Sequence, residues 1–493
     1  MTLVLCPNQL FEREPLNMIK KYDVKEIMVW EDPVFFGDRR GSPHGSALLR
    51  LNKMRIIYMR VAIQWYVEYL RAHVPKHIRV IHIPVEDLWD KPLKQRYEVW
   101  KQKQIWMYDP TDHLLMKRIR GSVQSQHITI LDSPQFLLSS EDIHEYMRIH
   151  EGKKRLQHAP FFDFVKKKLQ LLVGITSTDQ MNRRPFPKDQ ELPPTPFLDV
   201  ATKIQRSRAW SQQVEWLESH PVFSKNPGST QDIGYPIAFV DVRAWFDKFL
   251  KERFSLFGTY EDAVVAESPW MYHSGIAVFL NMGLLTPAYV IQTLQQTRYQ
   301  HLTKELNNYE GFLRQLMGWR EYSRLYYMAV PPSTYLKNVF GMKPLRRLPP
   351  SWYNTKHSTH PKQNTTGCNF VDRTIEDAWN TGYLHHIRRL MVIANYMTLC
   401  GIHPNRIFDW MYEFSMDSWD WVMVFNVYSM GSWSDGGYAM RKPYISSASY
   451  LQRMANMRDP DDSYIWDEKF KKFLKQHKDV LKHTQLAKLV RSL

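Results

Sequence analysis

Two adjacent histidines in the C-terminal half are the residues of this 493-residue chain best suited to acid–base chemistry. His385 and His386 lie in the segment GYLHHIRRLMV, which has helical periodicity and carries Arg389 about one turn further on. On a helix, adjacent side chains point about 100° apart, so one ring can face a pocket while the other packs. An imidazole titrates near neutral pH and suits a proton donor. The alternatives are a structural pair or a metal site, and the latter would need further ligands at i+4, which the segment lacks.

Two further segments could hold a phosphorylated or aromatic ligand. In HSGIAVFLNMGLLTP, His273 and Ser274 precede a helical pattern, and Gly275 permits close approach to the backbone. Hydroxyls and free amides there suit a pyrophosphate, although serine is also a common helix cap. In GFLRQLMGWREY, Arg320 and Glu321 lie on a mostly apolar helix. They form either a structural ion pair or contacts to the polar edge of a ring.

The composition favours a partner with phosphates and bases. The formal net charge is +16, which suits a nucleic acid, with an anionic membrane or plain solubility as alternatives. The chain contains 17 Trp and 26 Tyr, which suit flat cofactors, exposed bases and electron transfer, although large cores also contain such rings. The segment SDGGYAMRKPYISS combines glycines with a basic, aromatic strip, the arrangement that holds single-stranded or extruded bases.

The first 135 residues predict the framework of an α/β domain. Short apolar runs at 3–6, 26–30, 78–84 and 128–131 indicate buried strands. Between the second and third runs, apolar residues from Leu51 to Trp65 recur at spacings of three and four and predict a helix. This order implies a parallel, doubly wound sheet, but no glycine-rich dinucleotide motif accompanies it.

The rest of the chain is predicted to be helical after a connecting segment. Residues 174–198 are rich in proline and predict an interdomain connection or a surface loop. Helices are predicted at 242–254, 287–302, 309–328 and 378–402, and a lysine-rich helix over the last 27 residues has either a solvated or a phosphate-binding face. We therefore expect an α/β domain at 1–135, a connector at 136–200 and an all-α domain at 201–493.

The cysteines and the hydropathy point to a soluble intracellular protein. Cys6, Cys368 and Cys400 are too few for a disulfide framework or a four-thiolate metal site. The start of the chain lacks the pattern of a secretory signal, and no apolar run reaches 18 residues. We expect no membrane association, and a nuclear location if the source is eukaryotic or viral.

Taken together, these segments resemble a known family, the prokaryotic-type (6-4) photolyases and related cryptochromes. The resemblance also includes LVLCPNQL, DSPQFLL, DQMNRRPFP, FGTYEDA and FNVYSMGSWSDGG, and it extends to about Met457. It implies a Rossmann-like antenna domain followed by an all-α FAD-binding domain, in a monomer that acts on UV-damaged DNA. In that family, light-excited reduced flavin lends an electron to a flipped-out pyrimidine (6-4) lesion and recovers it.

The resemblance also implies roles for particular residues. His386 would be the active-site histidine with His385 beside it, and Trp410 the first ring of the flavin-reducing chain, followed by Trp419 and Tyr428. The FAD contacts would be Tyr260, His273, Ser274, Gln315, Arg320, Glu321, Met423 and Asn426. The DNA contacts would be Asn182, Arg183, Arg441, Lys442 and Tyr444, with Asp179 near a divalent cation such as Mg²⁺.

The chain departs from the family pattern at three places. Cys368 matches the first of four cluster cysteines, but residues 452–493 contain none, so we predict no iron–sulfur cluster. The stretch GDRRGSPHGSALLRLNKMR differs from the family's lysine-bearing helix, which puts a lumazine antenna (6,7-dimethyl-8-ribityllumazine) in question. Met423 stands where relatives have an acid near the flavin N5.

Three functional hypotheses remain on sequence grounds. The first is a light-driven (6-4) photolyase, a lyase that repairs DNA. The second is a cryptochrome-like FAD photoreceptor with little repair activity, which Met423 and the missing cysteines favour. The third is a non-enzymatic nucleic-acid-binding protein that kept the fold without the flavin.

Overall fold

One five-stranded sheet organises the N-terminal part of the chain in a computed structural model that describes residues 1–197, 203–353 and 365–492. All paired strands are parallel, in the order β3-β2-β1-β4-β5. The strands are β1 (Thr2–Leu5), β2 (Glu26–Trp30), β3 (Arg79–Ile83), β4 (Ile105–Tyr108) and β5 (Ile128–Leu131). The predicted doubly wound α/β fold is therefore confirmed.

Strand β4 is absent from the predicted set. Its sequence, IWMY, has a single β-branched residue and directly follows the polar stretch KQKQ, so periodicity alone does not mark it. It nevertheless pairs with β1 and β5 and is mostly buried. The remaining predicted strands agree with the structure to within one residue at each end.

Seven helices accompany the sheet and the segment after it. The predicted helix across Leu51–Trp65 is α2, and the Asn52 side chain caps it by accepting a hydrogen bond from the Met54 amide at 2.9 Å. These helices are α1 (Glu14–Lys21), α2 (Lys53–His73), α3 (Glu86–Trp89), α4 (Leu93–Arg96), α5 (His113–Arg120), α6 (Ser140–Ile149) and α7 (His158–Leu169).

The second half is helical, as predicted. Its α-helices are α8 (Lys203–Ser219), α9 (Phe239–Glu252), α10 (Ala277–Met282), α11 (Pro287–Leu294), α12 (Leu306–Leu313), α13 (Arg320–Ala329), α14 (Pro332–Tyr335), α15 (Asn369–Thr381), α16 (Asn395–Leu399), α17 (Pro404–Phe414), α18 (Asp420–Val424), α19 (Ala448–Met454), α20 (Pro460–Gln476), α21 (Lys478–Leu481) and α22 (Ala487–Arg491). Three π-helical turns interrupt it, at Arg314–Trp319, Arg388–Ala394 and Phe425–Gly431. Short 3₁₀ segments occur at Pro33–Phe36, Glu98–Trp100, Ser125–His127, Asp179–Met181, Phe223–Lys225, Phe254–Leu256, Thr297–Lys304 and Pro350–Trp352.

Three helix predictions are wrong in detail. The helix predicted at 378–402 is broken, because Gly382 ends α15 with φ +62° and the chain becomes helical again only at His386. The helix predicted at 287–302 ends as an α-helix at Leu294 and resumes as a 3₁₀ segment. The last 27 residues contain the end of α20 and the short helices α21 and α22 instead of one continuous helix.

The connector packs against both halves. Gln135 donates hydrogen bonds from Nε2 to the carbonyl oxygens of Asn8 at 2.6 Å and Asn281 at 2.8 Å. The His158 ring of α7 stacks on Trp319 with 3.8 Å between ring centroids. The proline-rich part of the connector is largely irregular, as predicted. As far as residue 197, where its description ends, its only helical segment is the 3₁₀ turn at Asp179–Met181.

Buried ion pairs also join the two halves. The Arg39 guanidinium lies 2.6 Å from Asp112 and 2.8 Å from Asp420 of α18. The His44 ring bridges Asp420 and Tyr335 at 2.8 and 3.0 Å. Within the described ranges, no helix is both long enough and apolar enough to cross a bilayer.

Candidate functional site

A cavity of about 290 Å³ lies within the helical half. All three π-helical turns contribute to its wall, through Gln315 from the first, Arg389, Leu390 and Ala394 from the second, and Asn426, Val427 and Met430 from the third. A π-helical turn carries an extra residue and is common at functional sites. The remaining wall is largely apolar and includes Phe257, Ile276, Phe312, Met411 and Val422.

Seven of the predicted site residues line this cavity. They are His273, Ser274, Gln315, His385, His386, Met423 and Asn426. Gly275 adopts φ +68° just before α10, and a Cβ there would meet the Trp245 ring at 3.3 Å. The fold therefore brings predicted residues from several separate segments to one cavity.

Three histidine rings meet on one side of the cavity. The rings of His273 and His385 are stacked, with 4.6 Å between centroids and 14° between planes, and His386 meets His273 edge-on at 5.3 Å. Burial lowers the pKa of both His273 and His385 well below the usual value. Nε2 of His273 and both ring nitrogens of His385 are buried without a hydrogen-bond partner. These two rings are therefore neutral and offer unused polar atoms to a ligand.

His386 stands at the mouth of the cavity, with 46% of its side chain exposed. Its Nε2 lies 3.2 Å from Oδ1 of Asp262, which orients the ring. The neighbouring Glu261 accepts a hydrogen bond from Arg183 at 3.0 Å and one from Gln315 at 3.3 Å. Burial, together with the charge of Asp262, raises the pKa of Glu261 to about 7. Hydrogen bonds and ion pairs thus link His386 to Asp262, and Glu261 to Arg183 and Gln315, at the mouth.

A buried ion pair fixes the wall opposite these acids. Nη1 of Arg389 donates to Oδ1 of Asp417 at 2.8 Å, and Nη2 donates to Oδ2 at 3.1 Å. Arg389 also donates from Nε to the Leu384 carbonyl oxygen at 2.5 Å, which holds the non-helical segment before His386 in place. The Arg389 guanidinium holds the pKa of Asp417 below its usual value although burial opposes this.

Three predicted FAD residues lie outside the wall of this cavity. Tyr260 packs edge-on against Phe186, with 5.2 Å between ring centroids. Arg320 donates to Oδ1 of Asn281 at 2.5 Å, and Glu321 accepts a hydrogen bond from the Leu137 amide at 2.8 Å. Arg320 and Glu321 therefore fasten the connector to the helical half.

The electron-relay residues are separated from one another. Trp410 is fully buried, and its nearest tryptophan rings are Trp379 at 6.0 Å and Trp352 at 6.4 Å. Trp419 packs against Phe35 of the sheet half at 5.3 Å. Tyr428 stacks on Phe408 at 5.8 Å and donates a hydrogen bond to Asn405. The ring contacts of Trp410 thus lead towards Trp379 and Trp352, which the sequence analysis does not name.

The predicted DNA-binding residues divide into a buried and an exposed group. Arg183 pairs with Asp179 at 2.5 Å, and Arg314 lies 3.7 Å from the same carboxylate, so a cation at Asp179 would have to displace them. Asn182 is buried and donates to the Asn307 carbonyl oxygen at 2.9 Å. Arg441 and Lys442 are exposed, and Tyr444 is partly buried. Burial and the nearby Asp262 carboxylate raise the pKa of Tyr444.

A second cavity, of about 380 Å³, lies between the two halves. Leu49 and Trp89 line it from the N-terminal side, and Phe223 and Tyr353 line it from the helical side. Its wall includes Glu413, whose pKa is raised to about 8 by burial and by the neighbouring Asp409. The basic side chains around it are Arg50, Lys225, Arg347 and Arg406.

Several site residues carry no local sequence signal. Asp262 comes directly after Glu261 in FGTYEDA, but nothing in that segment indicates contact with a histidine more than a hundred residues away. Asp417 lies in an aromatic segment and pairs with Arg389 across 28 positions. Tyr383 stacks on Trp270 with 3.9 Å between centroids, a pairing that only the fold creates.

The donor set of the first cavity fits a flavin nucleotide. Unpaired nitrogens of His273 and His385 face an apolar pocket. Gln315 donates from Nε2 to Glu261 at 3.3 Å and Asn426 donates from Nδ2 to the Val422 carbonyl oxygen at 2.8 Å, so their carbonyl oxygens remain for the polar edge of a ring. The positive φ of Gly275 permits the tight turn at the start of α10, against the Trp245 ring. An apolar pocket with a few convergent polar groups is the arrangement that binds a large aromatic cofactor.

The comparisons with known proteins agree with this fold and site. The family model described as deoxyribodipyrimidine photo-lyase-related protein matches residues 4–235. The chain is 26% identical over 421 residues to a (6-4) photolyase of Agrobacterium fabrum strain C58, covering 83% of this chain and 78% of that protein. By sequence the chain is therefore similar to photolyase-related proteins.

Two solved structures share the fold. A cryptochrome of Synechocystis sp. PCC6803 superposes with a TM-score of 0.58 at 15% identity, covering 98% of this chain and 91% of that one. A class III photolyase of Agrobacterium tumefaciens gives a TM-score of 0.54 at 14% identity, covering 94% and 86%. At this identity the likeness concerns the fold alone.

Proposed function

We propose that this protein is a blue-light-driven DNA photolyase that binds FAD in the first cavity and repairs pyrimidine (6-4) photoproducts. The observation that carries the proposal is His386, which stands half-exposed at the mouth of an apolar cavity and is oriented by Asp262. When bound, FAD supplies the light-driven electron donor. The similarity to a (6-4) photolyase over 83% of the chain supports the choice of lesion.

The side chains of the chain have separate tasks in this proposal. Gln315 and Asn426 bind the polar edge of the flavin, and the turn at Ser274 and Gly275 approaches its phosphates. Met423 contributes an apolar contact where an acid would supply a proton. His386 transfers a proton to the lesion, which is flipped out of the duplex into the mouth.

DNA is held by the exposed basic strip. Arg441 and Lys442 contact phosphates, and Tyr444 stacks near the extruded base. Arg183 and Asn182 border the lesion from the connector, with Arg183 bound to both Asp179 and Glu261. A divalent cation would bind Asp179 only when DNA phosphates replace this carboxylate as the ion-pair partner of Arg183.

The test is illumination of the purified, flavin-reduced protein with an oligonucleotide that carries a single (6-4) photoproduct, followed by chromatography. We expect light-dependent return of intact thymines and none in the dark. The His386→Ala variant should keep its flavin and lose repair, because the proton donor is gone. Repair at the wild-type rate by this variant would remove His386 from the chemistry.

A cryptochrome-like photoreceptor is the second candidate, and Met423 in the cavity wall favours it. Without an acid beside the flavin, the flavin protonates differently and the lifetime of its light-driven state changes. A flavin spectrum that responds to light, together with no repair of the oligonucleotide, would select this function. A protein that stays colourless after addition of FAD would instead select a nucleic-acid-binding role.

The second cavity is the place we propose for an antenna chromophore. It combines aromatic walls with four basic side chains, which suits a flat, anionic heteroaromatic ligand such as a ribityllumazine. We further propose a monomer that acts inside the cell, with an antenna domain at 1–135, a connector at 136–200 and a catalytic domain at 201–493. Absorption spectroscopy of the purified protein, before and after reconstitution with the lumazine, tests the antenna.

A further inference from the structure

The histidine cluster of the first cavity has the geometry of a metal-binding site. His273, His385 and His386 each offer a ring nitrogen, and these atoms lie within 4.8 Å of one another. Nε2 of His273 and both nitrogens of His385 have no hydrogen-bond partner although they are buried. Buried polar atoms are rarely left unpaired, so this wall is prepared for a group that binds nitrogen lone pairs.

The surroundings of His386 match those of a metal ligand. The Asp262 carboxylate lies 3.2 Å from Nε2 of His386. Metal-binding histidines usually have a backbone carbonyl or a carboxylate on one ring nitrogen, which fixes the ring and leaves the other nitrogen for the ion.

The local charge also suits a cation. Asp262 and Glu261 bring carboxyl groups to the mouth, and the nearby Arg389 is neutralised by Asp417 at 2.8 Å.

We propose that His273, His385 and His386 bind one divalent transition-metal ion such as Zn²⁺, with an open coordination position towards the cavity. Three imidazoles form the donor set of Zn²⁺, Co²⁺ and Ni²⁺, whereas Mg²⁺ and Ca²⁺ require oxygen ligands. The stacked arrangement of His273 and His385 requires one ring to turn before both can bind the same ion. Turning His385 breaks no hydrogen bond of that ring, because it has none.

Ion binding has a consequence that rests on the proposed function. An ion on His386 removes that ring from proton transfer, so metal binding and lesion repair compete. Zn²⁺ should therefore inhibit light-driven repair, and a chelator should restore it. The binding of the ion itself does not depend on repair.

The test uses the flavin-loaded protein after treatment with a chelator and desalting. Calorimetric titration with Zn²⁺ should give one ion per chain, and Co²⁺ should produce ligand-field absorption at wavelengths beyond the flavin bands. His385→Ala should lose this binding while keeping its near-UV circular dichroism, which reports an intact fold. The matched control is His77→Ala, which removes an exposed histidine beside β3 and should bind like the wild type.

Two results would overturn the metal site: no stoichiometric binding by the wild type, or equal binding by His385→Ala. If His385→Ala fails to fold, His273→Gln takes its place, because glutamine keeps a polar side chain of similar length at that position. A protein that repairs DNA but binds no ion refutes the metal site and leaves the photolyase intact. A protein that binds the ion but repairs nothing refutes the photolyase alone.

Discussion

At the scale of single residues, burial determines what the titratable groups of both cavities can do. His273 and His385 are held neutral inside the first cavity, while His386 keeps contact with solvent and with Asp262. Glu413 in the second cavity accepts hydrogen bonds from the Arg50 amide at 2.7 Å and the Tyr353 hydroxyl at 2.9 Å. These bonds do not compensate for burial, so its pKa is still raised to about 8.

Glu413 should therefore make stability depend on pH. Its folded pKa lies above its unfolded value, so the folded state binds the extra proton, and stability falls as pH rises between about 4.5 and about 8. Glu413→Gln cannot ionise and should gain about 2 kcal/mol relative to the wild type between about pH 5.5 and about pH 7.5. Denaturant titrations at the two pH values measure this difference. The exposed Glu98→Gln variant is the control, and a wild-type slope in Glu413→Gln would contradict the assignment.

Trp410 is the predicted first ring of a flavin-reducing chain, and its ring contacts Trp379 and Trp352. We expect Trp410→Phe to slow photoreduction of the oxidised flavin several-fold, because phenylalanine is much harder to oxidise than tryptophan. Repair by the chemically reduced protein should be unchanged. Absorbance of the flavin under steady illumination measures the rate.

The control for Trp410 is Trp100→Phe, which changes an equally buried ring that contacts Trp30 and Tyr97 in the sheet half. Slowing in Trp379→Phe as well would establish the path through α15. Undiminished photoreduction in Trp410→Phe would mean that electrons enter by another path.

At the scale of elements, the break between α15 and the following π-helical turn places the two histidines. Gly382 ends α15 in the left-handed region, and its carbonyl oxygen accepts a hydrogen bond from the Met416 amide at 3.0 Å. Residues 383–385 are not helical, the His385 ring is buried, and His386 begins the next helix at the mouth. A continuous helix would not present both rings in this way.

Replacement of Gly382 tests this arrangement. A Cβ at Gly382 would lie 2.5 Å from Cγ of Met416, whereas one at Gly401 would meet nothing within 4 Å, although both glycines have positive φ. Gly401→Ala should cost about 1 kcal/mol from backbone strain alone. Gly382→Ala should cost about 2 kcal/mol more and reduce the flavin content, because the clash displaces the histidine segment. Denaturant unfolding and flavin absorbance measure both effects, and equal losses in the two variants would contradict the role of Gly382.

The sequence predicts elements well where one local pattern is sufficient. The β-branched runs of β1, β2 and β3 and the amphipathic stretch of α2 identify the doubly wound sheet. The break at Gly382 is missed because the apolar periodicity continues across it, and a single glycine within such a pattern is compatible with a helix. The contacts of His273 with His385, and of Asp262 with His386, connect segments more than a hundred residues apart. No local pattern encodes such contacts, so only the resemblance to a family predicts that these segments share a site.

At the scale of the whole molecule, charge and domain packing act together. The net charge of +16 favours a polyanionic partner whatever its sequence, and the buried bridge of Arg39, Asp112 and Asp420 holds the sheet against the helical half. Removal of one partner from such a buried bridge typically costs about 3–5 kcal/mol. The two halves are therefore expected to unfold together.

DNA binding should weaken steeply as salt increases. Arg441 and Lys442 are exposed on the basic strip, and each phosphate contact contributes about −0.9 to the slope of log affinity against log salt. Replacing both by alanine should flatten the slope by about 1 to 2 and weaken binding to damaged and undamaged duplexes alike. Fluorescence anisotropy over a salt series measures this. Lys20→Ala with Lys21→Ala removes the same charge from α1 as a control, and an equal flattening there would exclude a specific role for the strip.

The three π-helical turns around the first cavity bear on how this chain can change over generations. Each such turn contains one residue more than the α-helical turn it interrupts, so loss of a single codon there restores a regular helix. The side chains on one side of the deletion would then rotate by about 100° relative to those on the other side, away from the ligand. Exchange of one wall side chain for another leaves this geometry intact. The wall of the cavity should therefore tolerate point substitutions over time far more readily than a change in its length.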